Sequence, residues 1–382
     1  MQSSVPGTRR TLTVTTWSTI SDIDFQDIGL NSLRSGTRLG DLGNNSNITF
    51  ITRNVYWNLA GSQSYTAAGW ATTSGGTPAL DNFPLPQDTV IFNNSGAAGT
   101  VTFGGTYYFG TLEATKTTAY TLTGQVGLVG NVFLSGSVTF STGSLLFVGR
   151  SAQTVTTNGI AINGFTPSGF GNTVTLLGAL TCNSVIVASP LNTGNFSVTC
   201  GTCRLESSTS DLQMGSSTLT VTDSGNSFIR TLGTITGTGT INMTSASAKT
   251  FAGGGVSISG ITLNQGGAGA LTITGANTFG NISNTYGATG ATTLTMGGNQ
   301  TVANFTAEGA IGNVLTLNSN SVGVQRTLTK SGGGTVTVSY LDIKDSNAVG
   351  ATWTALVSSD SGNNTGWNFG FAGGGNFMAF FM

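Results

Sequence analysis

Of the 382 residues 7 % are charged, against roughly 25 % in typical soluble proteins, and the net charge is −1 with no histidine. That balance excludes the basic stripe a nucleic-acid partner requires, and the lack of histidine excludes Ser-His-Asp and Cys-His nucleophilic sites. An apolar fraction of 38 % rich in Thr, Val and Ile supplies a core and argues against disorder.

In chain order, the opening MQSSVPGTRRTLTVTT has no apolar stretch behind Arg9 and Arg10, so no standard secretory signal is expected. No run reaches the 18 or so apolar residues of a membrane helix, and no membrane insertion is expected. Residues 1–54 hold nine of the 27 charged residues and read as a distinct attachment segment. Within it, Asp22, Asp24 and Asp27 raise a calcium site without the glycine and terminal glutamate of an EF-hand. The competing reading is a half-buried edge strand, with Asp22 and Asp24 on one face and Ile23 and Phe25 on the other. Asp342 and Asp345 near the C-terminus are open to the same two readings. Residues 55–95, with Trp57 and Trp70, form a cap module.

Residues 96–335 carry the repeats. Apolar-Thr-apolar triads, or near equivalents, start at Val101, Leu122, Val138, Val155, Val174, Val198, Leu219, Ile241, Ile261, Leu271, Leu294, Leu315 and Val336. Most gaps run from 16 to 24 residues, and Ile261 with Leu271 reads as two strands of one turn. Short strands with Gly and Asn turns at a period near 20 predict an all-β fold, a β-solenoid or β-helix with atypical capping segments at both ends. In each triad the outer residues point to the core and the Thr to solvent. A dozen or so turns at about 4.8 Å each make a rod on the order of 50–60 Å. An ordinary β-sandwich is the alternative.

Chemistry is sparse along this stretch. Cys200-Gly-Thr-Cys203 has metal-ligand spacing and Cys182 lies upstream, but three Cys and no His fall short of a zinc set. They read as small core residues, and no metal or cofactor is expected. Glu206, Asp211 and Asp223 are the trio from which a two-carboxylate glycosidase would be built, or else solvated acids. The runs Gly253–Gly255 and Gly332–Gly334 lack the Lys-Ser/Thr of a phosphate loop.

Residues 336–369, with Trp353 and Trp367, form a C-terminal cap. Trp57, Trp70, Trp353 and Trp367, four of the five tryptophans, fit capping, or contact with a glycan or partner. Residues 370–382 are an apolar tail on a glycine hinge. Phe377, Phe380 and Phe381 either bury themselves in a homo-oligomer, a trimer of parallel rods being favoured, or fold back as a cap.

The passages Val55-Tyr56-Trp57-Asn58-Leu59-Ala60-Gly61, Gly69-Trp70 through Gly76, Asp88 through Phe92, and TVTVSYLDIKDSNAVGATWTALVSSDSGNNTGWNF at 335–369 carry a resemblance. With the repeats between them, they resemble a loosely defined group of β-solenoid surface proteins, found among bacteriophage tail-fibre and structural proteins and bacterial adhesin-like proteins. The resemblance implies a non-enzymatic virion structural protein, located in the virion, that contributes to host attachment. Its partners would be other virion proteins and a host cell-surface glycan. A bacterial cell-surface adhesin and a polysaccharide-cleaving tailspike are the alternatives.

Overall fold

The structure, a computed structural model, describes residues 1–96 and 98–370. The oligomer contacts expected at Phe377, Phe380 and Phe381 lie outside those residues. Strands account for 53 % of the protein and no α-helix occurs among the described residues, so the fold is all-β. Parallel coils about 21 residues apart stack into a β-solenoid. The coils number about 17, more than the dozen the triads indicate, because further coils lie outside the triad-bearing stretch.

The chain divides into two compact units, one comprising Met1–Cys200 with Leu205–Gln213, the other Gly201–Arg204 with Met214 onward. In the first unit, Val90 registers on Leu112, Leu112 on Val132, Val132 on Val155 and Val155 on Leu176. All five are buried. Because strand side chains alternate, each inward residue meets its counterpart one coil away while its neighbours face out. A fully buried Val or Leu contributes roughly 1.5–3 kcal/mol of transfer free energy, so a stacked column of them drives the coil to form. The second unit repeats the pattern with Leu219, Ile241, Leu263, Ile282 and Phe305. Another apolar column runs through Leu271, Leu294, Leu317 and Ile343.

Coils also occur at the two ends. In residues 1–54, Arg10 registers on Ile28, Gly29 on Ser46 and Ser21 on Thr37, a coil of 16–18 residues. These short coils have their own core of Phe25, Ile28, Leu30, Leu39 and Ile48. The linker to the longer coils is anchored at Asp88. This fully buried carboxylate accepts from the backbone N–H groups of Arg53 and Leu85 and from the Arg53 guanidinium. At the C-terminal end, Val336 registers on Trp353 and Trp353 on Trp367.

Candidate interaction surfaces

The most elaborate polar arrangement of the first unit surrounds Asp27. The residue sits just past the strand Ser21–Phe25 with φ at 58°, a left-handed conformation that a short polar side chain tolerates. Its N–H donates to the Gly43 carbonyl and its own carbonyl accepts from the Arg10 N–H, tying three coils together. The carboxylate is 1 % exposed and accepts from the Gly7 N–H at 2.9 Å, Asn44 Nδ2 at 2.7 Å and Arg150 Nη2 at 2.6 Å. Arg150 lies between the strands Ser144–Phe147 and Gln153–Thr156, and its guanidinium carbon stands 3.5 Å from the Phe170 ring centroid. Burial lowers the Arg150 pKa and the Asp27 charge opposes that shift. Carboxylate, guanidinium and aromatic ring thus form one charge-assisted stack.

In the second unit Asp345 is built in the same way. Its φ is 55°, and its carboxylate accepts from the Gly323 N–H at 3.1 Å and Asn363 Nδ2 at 2.7 Å. The Asn363 amide, then the Gly323 N–H, hold its pKa below the ordinary carboxylate value.

A cleft of about 310 Å³ in the first unit is lined by Asp22, Asp24, Arg38, Phe83, Tyr107 and Tyr108. Arg38 bridges Asp22 at 2.6 Å and Asp81 at 2.5 Å, while burial raises the Asp24 pKa. Tyr108, 37 % exposed, is the most exposed ring there. On the second unit, an open groove of about 620 Å³ runs past Ala270, Thr293, Val314, Thr316, Asp342 and Ser359. It is one outward row of the strand ladder and carries a single charge.

Two lysines are buried instead of solvated. Lys249 Nζ donates to the carbonyls of Ser245, Gly267 and Gly269, closing a corner, and burial lowers its pKa to about 8. Lys116 Nζ does the same for Asn93 and Gly96, with its pKa also lowered by burial.

The tryptophans offered as glycan or partner contacts are core residues. Trp57 and Trp70 pack edge to face at 4.9 Å, and their Nε1 atoms donate to Leu59 and Tyr65 carbonyls. Trp353 and Trp367 pack at 5.1 Å, with Nε1 atoms donating to the Val349 carbonyl and Ser346 Oγ. All four are buried with satisfied N–H groups, so none offers a ring face to a sugar. Among the described residues the most exposed aromatics are Tyr108, Phe133, Phe170 and Phe196. No composition or spacing signal separates them from core residues, since one step along a strand reverses the face.

Asp22, Asp24 and Asp27 do not converge either. Asp22 turns to Arg38 and Asp27 to Arg150. Among the described residues no group of three or more His, Cys, Asp or Glu side chains is placed to hold a metal ion. Cys182, Cys200 and Cys203 are buried cysteines, and burial, with Cys200 nearby, raises the Cys182 pKa. Glu206 and Asp211 belong to the first unit and Asp223 to the second. Comparison of the chain with protein-family models, with curated proteins and with solved structures finds no match to any of them.

Proposed function

We propose that this chain is a non-enzymatic structural protein of a virion, a tail fibre, spike or capsid-surface appendage, that contributes to host attachment alongside other virion proteins. The observation that carries this reading is where the ionisable side chains are spent. Arg53 and Asp88, Arg150 and Asp27, Arg38 and Asp22, Lys249 and Lys116 are all committed to holding coils, corners and linkers. What faces out is largely Thr, Ser and Asn on a stacked scaffold, chemistry suited to persistence and adhesion rather than turnover. The cleft with Asp24 and Tyr108 pairs an acceptor with an exposed ring, as sugar hydroxyls and sugar faces require, and we assign host-glycan contact there.

Immunogold labelling with antibody to residues 96–335, on a sample holding both particles and host cells, tests this reading. Gold is expected on virus tails or capsids. Gold on uninfected cell envelopes would replace it with the adhesin reading, and release of reducing ends from host polysaccharide would replace it with the tailspike reading.

A further inference from the structure

Residues 1–50 and 317–369 are two copies of one module of three coils. Arg10-Thr-Leu-Thr13 recurs as Arg326-Thr-Leu-Thr329, the Asp24-x-x-Asp27 pair as Asp342-x-x-Asp345, and Asp41-x-Gly-Asn-Asn-Ser46 as Asp360-x-Gly-Asn-Asn-Thr365. Strand register recurs with them. Arg10 on Ile28 matches Arg326 on Ser346, Gly29 on Ser46 matches Asn347 on Thr365, and Phe25 on Asp41 matches Ile343 on Asp360. Left-handed backbone falls at Gly7 and Gly323, Asp27 and Asp345, Gly43 and Gly362, and Asn44 and Asn363. Even the bridging asparagines agree. Asn45 donates to Phe25 O and Asp41 Oδ1 while accepting from the Ile28 N–H. Asn364 donates to Ile343 O and Asp360 Oδ1 while accepting from the Ser346 N–H.

The cation on the buried aspartate separates the two corners. The first corner seats Arg150, backed by Phe170, on Asp27. The second keeps the glycine N–H, the asparagine amide and the buried aspartate, yet no Arg or Lys side chain bonds Asp345 among the described residues. Beside it stand Val322 at 86 % and Val324 at 49 % exposure, apolar side chains on either side of Gly323. Among the described residues, then, two corners of one design stand and an arginine is seated on the first.

We propose that the corner formed by Gly323, Asp345 and Asn363 is a docking site for an arginine of a partner protein. The partner is another β-solenoid chain presenting an arginine over an aromatic ring, as Arg150 stands over Phe170. The fork of the guanidinium fits a carboxylate whose Oδ2 accepts the Gly323 N–H as Asp27 Oδ2 accepts the Gly7 N–H and, beside it, Arg150, and lysine fits less well because its ammonium is a compact, strongly hydrated point charge.

The test titrates the full-length ¹⁵N-labelled protein with the probe N-acetyl-arginine methylamide and follows backbone amide resonances. Saturable shifts are expected at Gly323, Asp345 and Asn363, with the corresponding lysine probe at least about fivefold weaker. Asp345→Asn should abolish the shifts, and Asp342→Asn should leave them. Because Asp345→Asn risks unravelling the corner, Arg150→Ala supplies an independent check. Removing the resident guanidinium should let the same probe shift Gly7 and Asn44, which it leaves unmoved in the wild type. Response at Gly7 and Asn44 in Arg150→Ala without response at the Gly323 corner overturns the proposal. So does equal response to the lysine probe, or no response at either corner.

Discussion

Lys249 shows what burial does to a single ionisable group in this fold. Its ammonium donates to three backbone carbonyls in a residue 1 % exposed, and its pKa falls to about 8 from 10.5. Below pH 8 folded and unfolded chains both carry the proton, and the folded state bears the cost of a buried charge. Between about pH 8 and 10.5 the unfolded chain still holds the proton that the folded one has released. The residue's contribution to stability therefore rises with pH across that window. Thiols and phenols that burial keeps protonated, such as Cys182 and Tyr120, ionise in that range only in the unfolded chain, which acts with the opposite sign, so the informative quantity is a difference. The stability of wild type relative to Lys249→Met should rise by on the order of 1–3 kcal/mol between pH 7.5 and about 10, a few degrees in Tm. Parallel melting-temperature curves for the two proteins would contradict this. Asp345 works at the other end of the scale. Its depressed pKa means that its contribution is present above the ordinary carboxylate value and is lost as pH falls through the folded one. In acid titrations, the amide shifts of Gly323 and Asn363 should follow an inflection below that of an exposed aspartate, and Asp345→Asn should remove it.

Within a strand the two faces differ sharply in what they tolerate. Leu294 is buried between Leu271 and Leu317, so Leu294→Ala should cost about 2–5 kcal/mol in denaturant unfolding. Thr295 on the outer face of the same strand registers on Thr272 and Asn318, and Thr295→Ala should cost within about 0.5 kcal/mol. Equal costs would mean that the inward and outward assignments are reversed. At the docked N-terminal coils, Arg150→Ala leaves the Asp27 carboxylate buried without its cation, a loss of about 3–5 kcal/mol. Faster protease cleavage within residues 49–53 should report it. Strand positions were legible in the sequence to this depth and no further. The triads beginning at Leu219 and Ile241 do share a column, and so do those at Leu271 and Leu294. But Ile241 registers on Leu263 rather than Ile261, and Leu294 on Leu317 rather than Leu315. With alternation of period 2, residues i and i+2 face the same way, so a pattern of apolar positions reveals the face and leaves the register undetermined. The Asp27 corner was hidden for a related reason. Its partners Gly7, Asn44 and Arg150 lie whole coils away, and coil length varies along the chain. The two D-x-G-N-N runs are the sequence signal that exposes its twin.

Over the whole molecule, stability is held between neighbouring coils and not in one shared core. A defect in one coil should then spread to its immediate neighbours and fade. Hydrogen exchange on Leu294→Ala should lose protection across residues 271–317 and keep it across 89–134. Uniform loss of protection would instead mean a single cooperative unit.

The tryptophan pairs add an optical consequence. Trp57 and Trp70 lie 4.9 Å apart at an interplanar angle of 74°, and Trp353 and Trp367 lie 5.1 Å apart at 61°. Indoles that close and that steeply inclined couple their transition dipoles, so each pair should impose an exciton couplet on the circular dichroism spectrum. Trp70→Phe erases one couplet and Trp367→Phe the other, which turns either end of the chain into a separately readable chromophore.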